Sequence, residues 1–192
     1  MPNKAEIPIL GFTSDKEWEL WLVKNHANSN GLWLKIFKKD SGCKTVTYAE
    51  ALDVALCYGW IDGQKKSNDG QSFLQKFTPR RAKSIWSKVN TEHIERLTKA
   101  GKMKPAGIKV VEEAKADGRW DKAYSSASKM TIPEDFLKEL SKNKKAEAFF
   151  KTLNKTNLFS IGFRLQTAKT EETRLKRMKV ILDMMKKGTK FH

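Results

Sequence analysis

The sequence predicts an α+β protein: a small antiparallel sheet with helices in the N-terminal half, and a helical C-terminal half. Three observations carry that expectation. Runs with the two-residue alternation of strands occur only in the first eighty or so residues. From Ser87 onward, caps and 3.6-residue periodicity leave almost only helices. Strands and helices do not alternate along the chain as a doubly wound sheet would require.

The first helix opens at Ser14-Asp15-Lys16-Glu17, a capping-box pattern in which Ser14 caps and Glu17 reaches back. It runs to about Ala27, and Trp18, Trp21, Leu22 and Asn25 follow helical spacing, so both indoles face the core. Asn30-Gly31 is a turn. Leu32, Leu34 and Ile36 then alternate with Trp33, Lys35 and Phe37, which reads as a strand from Leu32 to Lys38. Asp40-Ser41-Gly42 is a second turn.

Thr47-Tyr48-Ala49-Glu50 repeats the capping box and starts a helix to about Tyr58, with Ala51, Leu52, Ala55 and Leu56 inward. Gly59 ends it in a left-handed cap. Two extended runs, from Trp60 and from Gln71, flank Asn68-Asp69-Gly70 and predict an antiparallel hairpin. Pro79 closes its second strand because proline cannot donate to a ladder.

The helices that follow begin at Ser87 or Asn90, Pro105, Pro133, Lys144, Asn157 and Thr170. The first two stop at Gly101 and Gly118, the last at Gly188. The Ser-rich stretch 124–131 is the expected linker. It separates an α+β domain over 1–123 from a helical region over 132–192, expected to pack on the first.

Apolar residues make up 39% of the chain and include six Trp and ten Phe, which supports a true core and excludes general disorder. No apolar run approaches a membrane span. The first eleven residues lack the pattern of a secretory signal. The two cysteines, Cys43 and Cys57, are too few for a disulfide framework, and a cytoplasmic protein is expected.

The 38 Lys and Arg against 22 Asp and Glu give a net charge of +16. Residues 1–96 hold 15 basic and 11 acidic side chains, whereas 97–192 hold 23 and 11. Such a field attracts polyanions, and it also keeps a protein soluble. The last helix adds a basic amphipathic pattern: Leu175, Met178, Ile181, Leu182 and Met185 recur among lysines and arginines. Its stripe is expected to pack on the domain, with Lys169, Arg174 and Arg177 as a polyanion-contact rim and peripheral membrane contact left open.

Catalytic and cofactor signatures are missing. His26, His93 and His192 show no metal-ligand spacing, and the cysteines form no C-x-x-C pair. No phosphate-binding glycine loop or nucleophile elbow occurs. No metal or cofactor is expected, and the chain reads as a binding protein more readily than an enzyme. His93 reads as a structural histidine and Cys57 as a small core residue.

Residues 57–88 concentrate aromatic, amide and charged side chains around the hairpin. Tyr58, Trp60, Asp62, Lys65, Arg80, Arg81 and Trp86 are the candidate ligand-binding residues. Asp62 is placed to accept from Arg80 or Arg81, and Arg pairs suit carboxylate or phosphate. Two readings stand: an anion pocket floored by Trp60 and Trp86, or an internal Asp62–Arg80 bridge with both indoles in the core.

Here the sequence resembles the YdeI/OmpD-associated, or bacteriocin-protection, family. The likeness lies in Val46 to Leu52, Leu56-Cys57-Tyr58-Gly59-Trp60-Ile61-Asp62-Gly63-Gln64-Lys65, Phe77-Thr78-Pro79-Arg80-Arg81 and Ser84-Ile85-Trp86-Ser87. It continues in Ala114 to Trp120, Gln166 to Lys169 and Glu172-Thr173-Arg174, so it covers nearly the whole chain. Gly162 departs from the family, which more often has a bulky residue there, and weakens the expected helix by about 1 kcal/mol. The resemblance implies a small soluble bacterial protein that protects against bacteriocins or cationic antimicrobial peptides, associated with an outer-membrane porin. It makes residues 132–192 the OmpD-associated-type region and brings no catalytic residue.

Three functions are weighed from this. The first is non-enzymatic stress protection by binding an anionic small molecule or a protein partner. The second is a nucleic-acid module using the basic C-terminal helices, without a supporting motif. The third is a small-molecule enzyme or sensor with a pocket in the 60–87 region.

Overall fold

The computed structural model describes residues 7–126 and 128–192. Residues 1–6, where no secretory signal is expected, and Ala127 of the expected linker lie outside the described residues. The elements are β1 (Ile9–Gly11), α1 (Asp15–Asn25), β2 (Leu32–Phe37), a single 3-10 turn at Lys39–Ser41, α2 (Tyr48–Cys57), β3 (Trp60–Ser67) and β4 (Ser72–Pro79). Then come α3 (Lys88–Lys99), α4 (Pro105–Ala116), α5 (Glu134–Ser141), α6 (Lys144–Phe150), α7 (Lys155–Gln166) and α8 (Glu171–Lys187). The fold is α+β.

The sheet is mixed rather than purely antiparallel, with order β1-β2-β4-β3. The extra strand, β1, runs parallel to β2 with Ile9 opposite Trp33. Three residues are too few to show alternation, which hid β1 in the sequence. Parallel neighbours need a crossover, and α1 supplies it.

The chain divides into two compact units. One holds the residues up to Trp86 together with Asn90–Lys122, the other Ser87–Val89 with Ala123–His192. In the first unit Leu32, Leu34 and Ile36 are buried on one face of β2. Trp18 of α1 is fully buried and lies within 5.4–6.2 Å, centroid to centroid, of Phe12, Trp21, Phe77 and Trp60. Its indole N–H donates to the Ala51 carbonyl of α2 at 3.0 Å. A buried indole needs such a partner, so this bond fixes α1 against α2 as the rings fill the core.

The caps show how sequence sets local structure. Thr47 forms the full box: its hydroxyl accepts from the Glu50 N–H, and the Glu50 carboxylate accepts from the Thr47 N–H at 2.8 Å. At α1 the Ser14 hydroxyl accepts from the Glu17 N–H at 3.3 Å, but Glu17 reaches one residue further, to the Thr13 N–H and hydroxyl at 2.8 Å each. Gly59 ends α2 at φ +73°, as its position predicted. Gly107 has a different reason: a Cβ there would lie 2.2 Å from the Cys57 carbonyl oxygen, so glycine lets α4 approach the end of α2.

The β3–β4 register shifts between Asp62 and Lys65. The buried Gln75 amide donates to the carbonyls of Gly63 and Gln64 at 3.0 and 3.3 Å, satisfying oxygens at this irregularity. In the hairpin turn, Asp69 accepts from the Ser72 hydroxyl and from the Gln71 and Ser72 N–H groups. These bonds, the Ser72 hydroxyl first, hold its carboxyl down at about 2.

The second unit builds its core from α5 to α8, with Phe136, Leu140, Ala146, Ile161, Leu165, Met178, Ile181 and Met185 buried together. Asn143, Asn154 and Thr170 cap α6, α7 and α8 through their side-chain oxygens. Met178, Ile181 and Met185 of the α8 stripe pack inward as expected and Leu182 is partly buried, but Leu175, the first residue of the stripe, is exposed, as is Val180. Helix α7 runs through Gly162 unbroken. A Cβ at Gly162 would meet Met130 Cγ at 2.6 Å, so the missing side chain makes room for Met130. Among the described residues no helix is long and apolar enough to cross a membrane.

Candidate functional site

The residues expected around the hairpin do not share a pocket floor. Trp60 is 1% exposed, stands edge-on to Trp18 and Trp21, and donates its indole N–H to the His26 carbonyl at 3.1 Å. Trp86 is equally buried but in another aromatic group, 5.0 Å from Trp120. Both indoles are core, and the expected floor is absent.

The expected Asp62–Arg80 bridge is absent as well. Asp62 accepts from the Tyr48 hydroxyl at 2.9 Å, and no ion pair joins it to Arg80 or Arg81 among the described residues. The register places Asp62 opposite Phe77, and Arg80 turns elsewhere. Its guanidinium stacks 3.6 Å from the Trp86 ring centre and donates to the Ile85 carbonyl at 3.0 Å. Arg81 and Lys65 are exposed, with the Lys65 ammonium 4.0 Å from the Phe73 ring centre. The Tyr58 hydroxyl donates to Glu19 at 3.2 Å, and burial, helped by the Glu19 charge, pushes it up to about 12.

Several motif residues therefore have structural work. Arg119 binds both Asp117 oxygens through Nε at 2.8 and 2.6 Å and donates from Nη1 to the Ser84 carbonyl at 3.1 Å. With Arg80, Trp86 and Trp120 it ties the loop after β4 to the segment after α4. The Trp86 indole N–H is buried with no hydrogen-bond partner among the described residues.

A polar cluster that sequence reasoning missed joins α2 to α3. His93 Nδ1 lies 2.8 Å from Asp53 Oδ1, and Arg96 Nη2 donates to both Asp53 oxygens at 2.6 and 2.7 Å. Burial pushes the Asp53 carboxyl up, but these bonds outweigh it and leave the carboxyl below its ordinary range. Glu19, Asp53, Cys57, Lys102 and Lys104 line an adjoining cleft of about 310 Å³. Burial, then the Asp53 and Glu19 charges, push the Cys57 thiol up to about 11. At neutral pH it is a protonated thiol and a poor nucleophile. His93 and Arg96 sit three apart on α3, a visible pairing, but their partner lies some forty residues earlier and carries no local signal.

The second unit offers a groove with a clearer chemical character. Arg164, Lys176, Arg177, Val180, Ile181 and Phe191 line a space of about 270 Å³ on α7, α8 and the segment after α8. None of the residues lining it is acidic. Arg177 Nη1 donates to the Arg164 carbonyl at 2.8 Å, and the Arg164 guanidinium lies 4.4 Å from the Phe191 ring centre. Phe191 is held in turn by buried Asn157, whose side-chain oxygen accepts from the Phe191 and His192 N–H groups at 3.1 and 3.2 Å.

The expected basic rim divides here. Arg177 lines the groove, and Lys169 is exposed away from its lining. Arg174 is committed to Asp135, with two bonds of 2.6 and 2.8 Å. These bonds hold the Asp135 carboxyl below its ordinary range.

Comparison with known families now bears on both units. Residues 10–110 match a family described as a domain of unknown function (DUF8412). Residues 129–188 match the family described as bacteriocin-protection, YdeI or OmpD-associated. The chain belongs to the DUF8412 family and carries a YdeI/OmpD-associated domain. No curated protein and no solved structure matches it.

The YdeI/OmpD-associated segment spans α5 to α8 and contains every residue lining the groove except Phe191. The DUF8412 segment contains the sheet from Leu10 onward, the aromatic core around Trp18 and the Asp53 cluster. Arg164, Lys176 and Phe191 were missed from sequence. The basic amphipathic pattern of α8 pointed toward Lys176, but the juxtaposition of Arg164 with Phe191 depends on the Asn157 clamp.

Proposed function

We propose that the protein is a non-enzymatic stress-protection protein of the bacteriocin-protection type, and that it acts by binding a small anion with an apolar body in the α7–α8 groove. The observation that carries this reading is the groove lining: three cations, no carboxylate, and an apolar wall of Val180, Ile181 and Phe191. Guanidinium groups match two oxygens of a carboxylate or phosphate at once. The apolar wall would bury a short hydrocarbon or ring attached to that head, and pockets of this kind run upward from roughly 300 Å³. The family of the second unit supports the protective role.

The charge constrains how protection would work. A protein at +16 repels cationic peptides, so direct capture is electrostatically unfavourable. Binding an anionic partner, or competing with the peptide for an anionic surface, fits the sign. An enzyme or sensor at residues 60–87 has weaker support, because Trp60 and Trp86 are core and Asp62 is paired with Tyr48.

The test is survival. A bacterial host producing the protein is challenged with a cationic antimicrobial peptide, beside a host producing the Arg164→Glu/Arg177→Glu variant at equal level. The reading expects survival to rise with the wild type and to fall back with the variant. Equal survival with both would overturn it.

A further inference from the structure

The sheet of the first unit presents a face that the groove does not use. On β2, Trp33, Lys35 and Phe37 alternate with buried Leu32, Leu34 and Ile36, so they point away from the helices. Directly opposite residues on antiparallel strands share a face. The register therefore sets Lys76 beside Trp33, and Leu74 between Lys35 and Lys66. The Lys66 and Lys76 ammonium groups lie 4.3 and 5.7 Å from the Trp33 ring centre. Lys35 lies 4.7 Å from the Phe37 ring centre and 3.5 Å from Asp69. Beside Trp33, at the β1 edge, Ile7, Pro8, Ile9, Trp33 and Lys66 enclose a cleft of about 600 Å³.

We propose that this face binds single-stranded nucleic acid, with a base stacked at Trp33 in the cleft and phosphates on Lys35, Lys66 and Lys76. Charge complementarity names the occupant. Two lysines over one half-buried indole, with Lys35 two residues along the same strand, match a chain that alternates phosphates with flat rings. An isolated anion would use the lysines and leave the indole and the cleft beside it idle. A duplex keeps its bases stacked inside, where a flat sheet cannot reach them. Aromatic and basic side chains on an open sheet are the chemistry by which unstacked bases are held. The cations now over Trp33 would exchange a ring for a phosphate, keeping their charge compensated while freeing a face of the indole.

The experiment is fluorescence anisotropy with a labelled thymidine oligomer, its ribose counterpart, a duplex of equal length and heparin. The proposal expects the single strands to bind more tightly than duplex or heparin. Three phosphate contacts give a slope of about −2 in log affinity against log salt. Trp33→Ala should weaken single-strand binding by about tenfold, while Trp33→Phe, which keeps a ring, stays close to the wild type. Lys66→Ala/Lys76→Ala should cut the salt slope by more than half. Arg164→Glu/Arg177→Glu, in the other unit, should retain the Trp33 dependence and the single-strand preference. Thermal melts of each variant separate lost binding from lost folding. Binding that ignores Trp33, follows the groove arginines instead, or is no stronger for single strands than for heparin would overturn the proposal, as would no binding at low salt.

Discussion

Arg177 donates from Nη1 to the main-chain carbonyl of Arg164 at 2.8 Å. That bond joins α8 to α7 and brings two guanidinium-bearing residues to the same groove. Arg174, one helical turn earlier, looks equivalent in sequence and is not. It is spent on Asp135. The distinction separates binding from stability. Arg177→Ala should weaken the binding of octyl phosphate by at least about tenfold, the worth of a charge-assisted bond. Arg174→Ala should leave that affinity nearly unchanged and lower stability by about 1 kcal/mol, because its carboxylate partner is exposed. Calorimetric titration and thermal melts of the two variants check the pair. A reversed pattern would reassign the site.

The Asp53 cluster predicts acid sensitivity. Its folded pKa lies below the ordinary carboxylate value because the Arg96 and His93 bonds outweigh burial. A depressed folded value contributes stability above the unfolded pKa, near 3.9, and loses it as pH falls through the folded value. Asp69, held at about 2, extends the loss to that pH. Urea midpoints should therefore fall between about pH 4 and pH 2, and less steeply in Asp53→Asn. An identical slope in that variant would show the cluster to be energetically silent.

The two thiols should differ sharply. Cys43 is exposed, whereas Cys57 is buried with its thiol pushed up to about 11. A thiol reagent at pH 8 should label one cysteine at once and the second only after denaturation. Two fast thiols would show that the cleft beside Cys57 opens readily.

Two glycines make contrasting predictions. Gly107→Ala sets a methyl 2.2 Å from a carbonyl oxygen of the α2 end, and rigid backbone cannot yield cheaply. A loss of about 3 kcal/mol is expected. Gly162→Ala meets Met130 Cγ at 2.6 Å and the Thr131 carbonyl oxygen at 3.2 Å, of which the Met130 side chain can turn aside, and the helix gains about 1 kcal/mol from losing its glycine. The net change should be within about 1 kcal/mol of zero. Denaturant midpoints read both. Equal losses would show that Met130 is as rigid as the backbone.

The elements were legible because their signals are local. Thr47 and Glu50 cap α2 three residues apart, Gly59 stops it, and alternation marked the inner face of β2. What escaped was set by distance or brevity. Three-residue β1 is too short to show a period, and its pairing with Trp33 spans the whole of α1. The same limit hid which partners the hairpin residues take. Asp62 and Arg80 are both in the hairpin motif, yet register carried Asp62 to Phe77 and Tyr48, and stacking carried Arg80 to Trp86. The groove depends on Asn157 holding a segment 34 residues later, which no spacing rule encodes.

The most direct test of groove binding is a titration of the ¹⁵N-labelled protein with octyl phosphate, followed by backbone amide shifts. The account predicts saturable shifts at Arg164, Lys176, Arg177, Ile181 and Phe191, abolished by Arg164→Glu/Arg177→Glu while the rest of the spectrum stays folded. Saturable shifts confined to residues 10–110, or none at millimolar ligand, would contradict it.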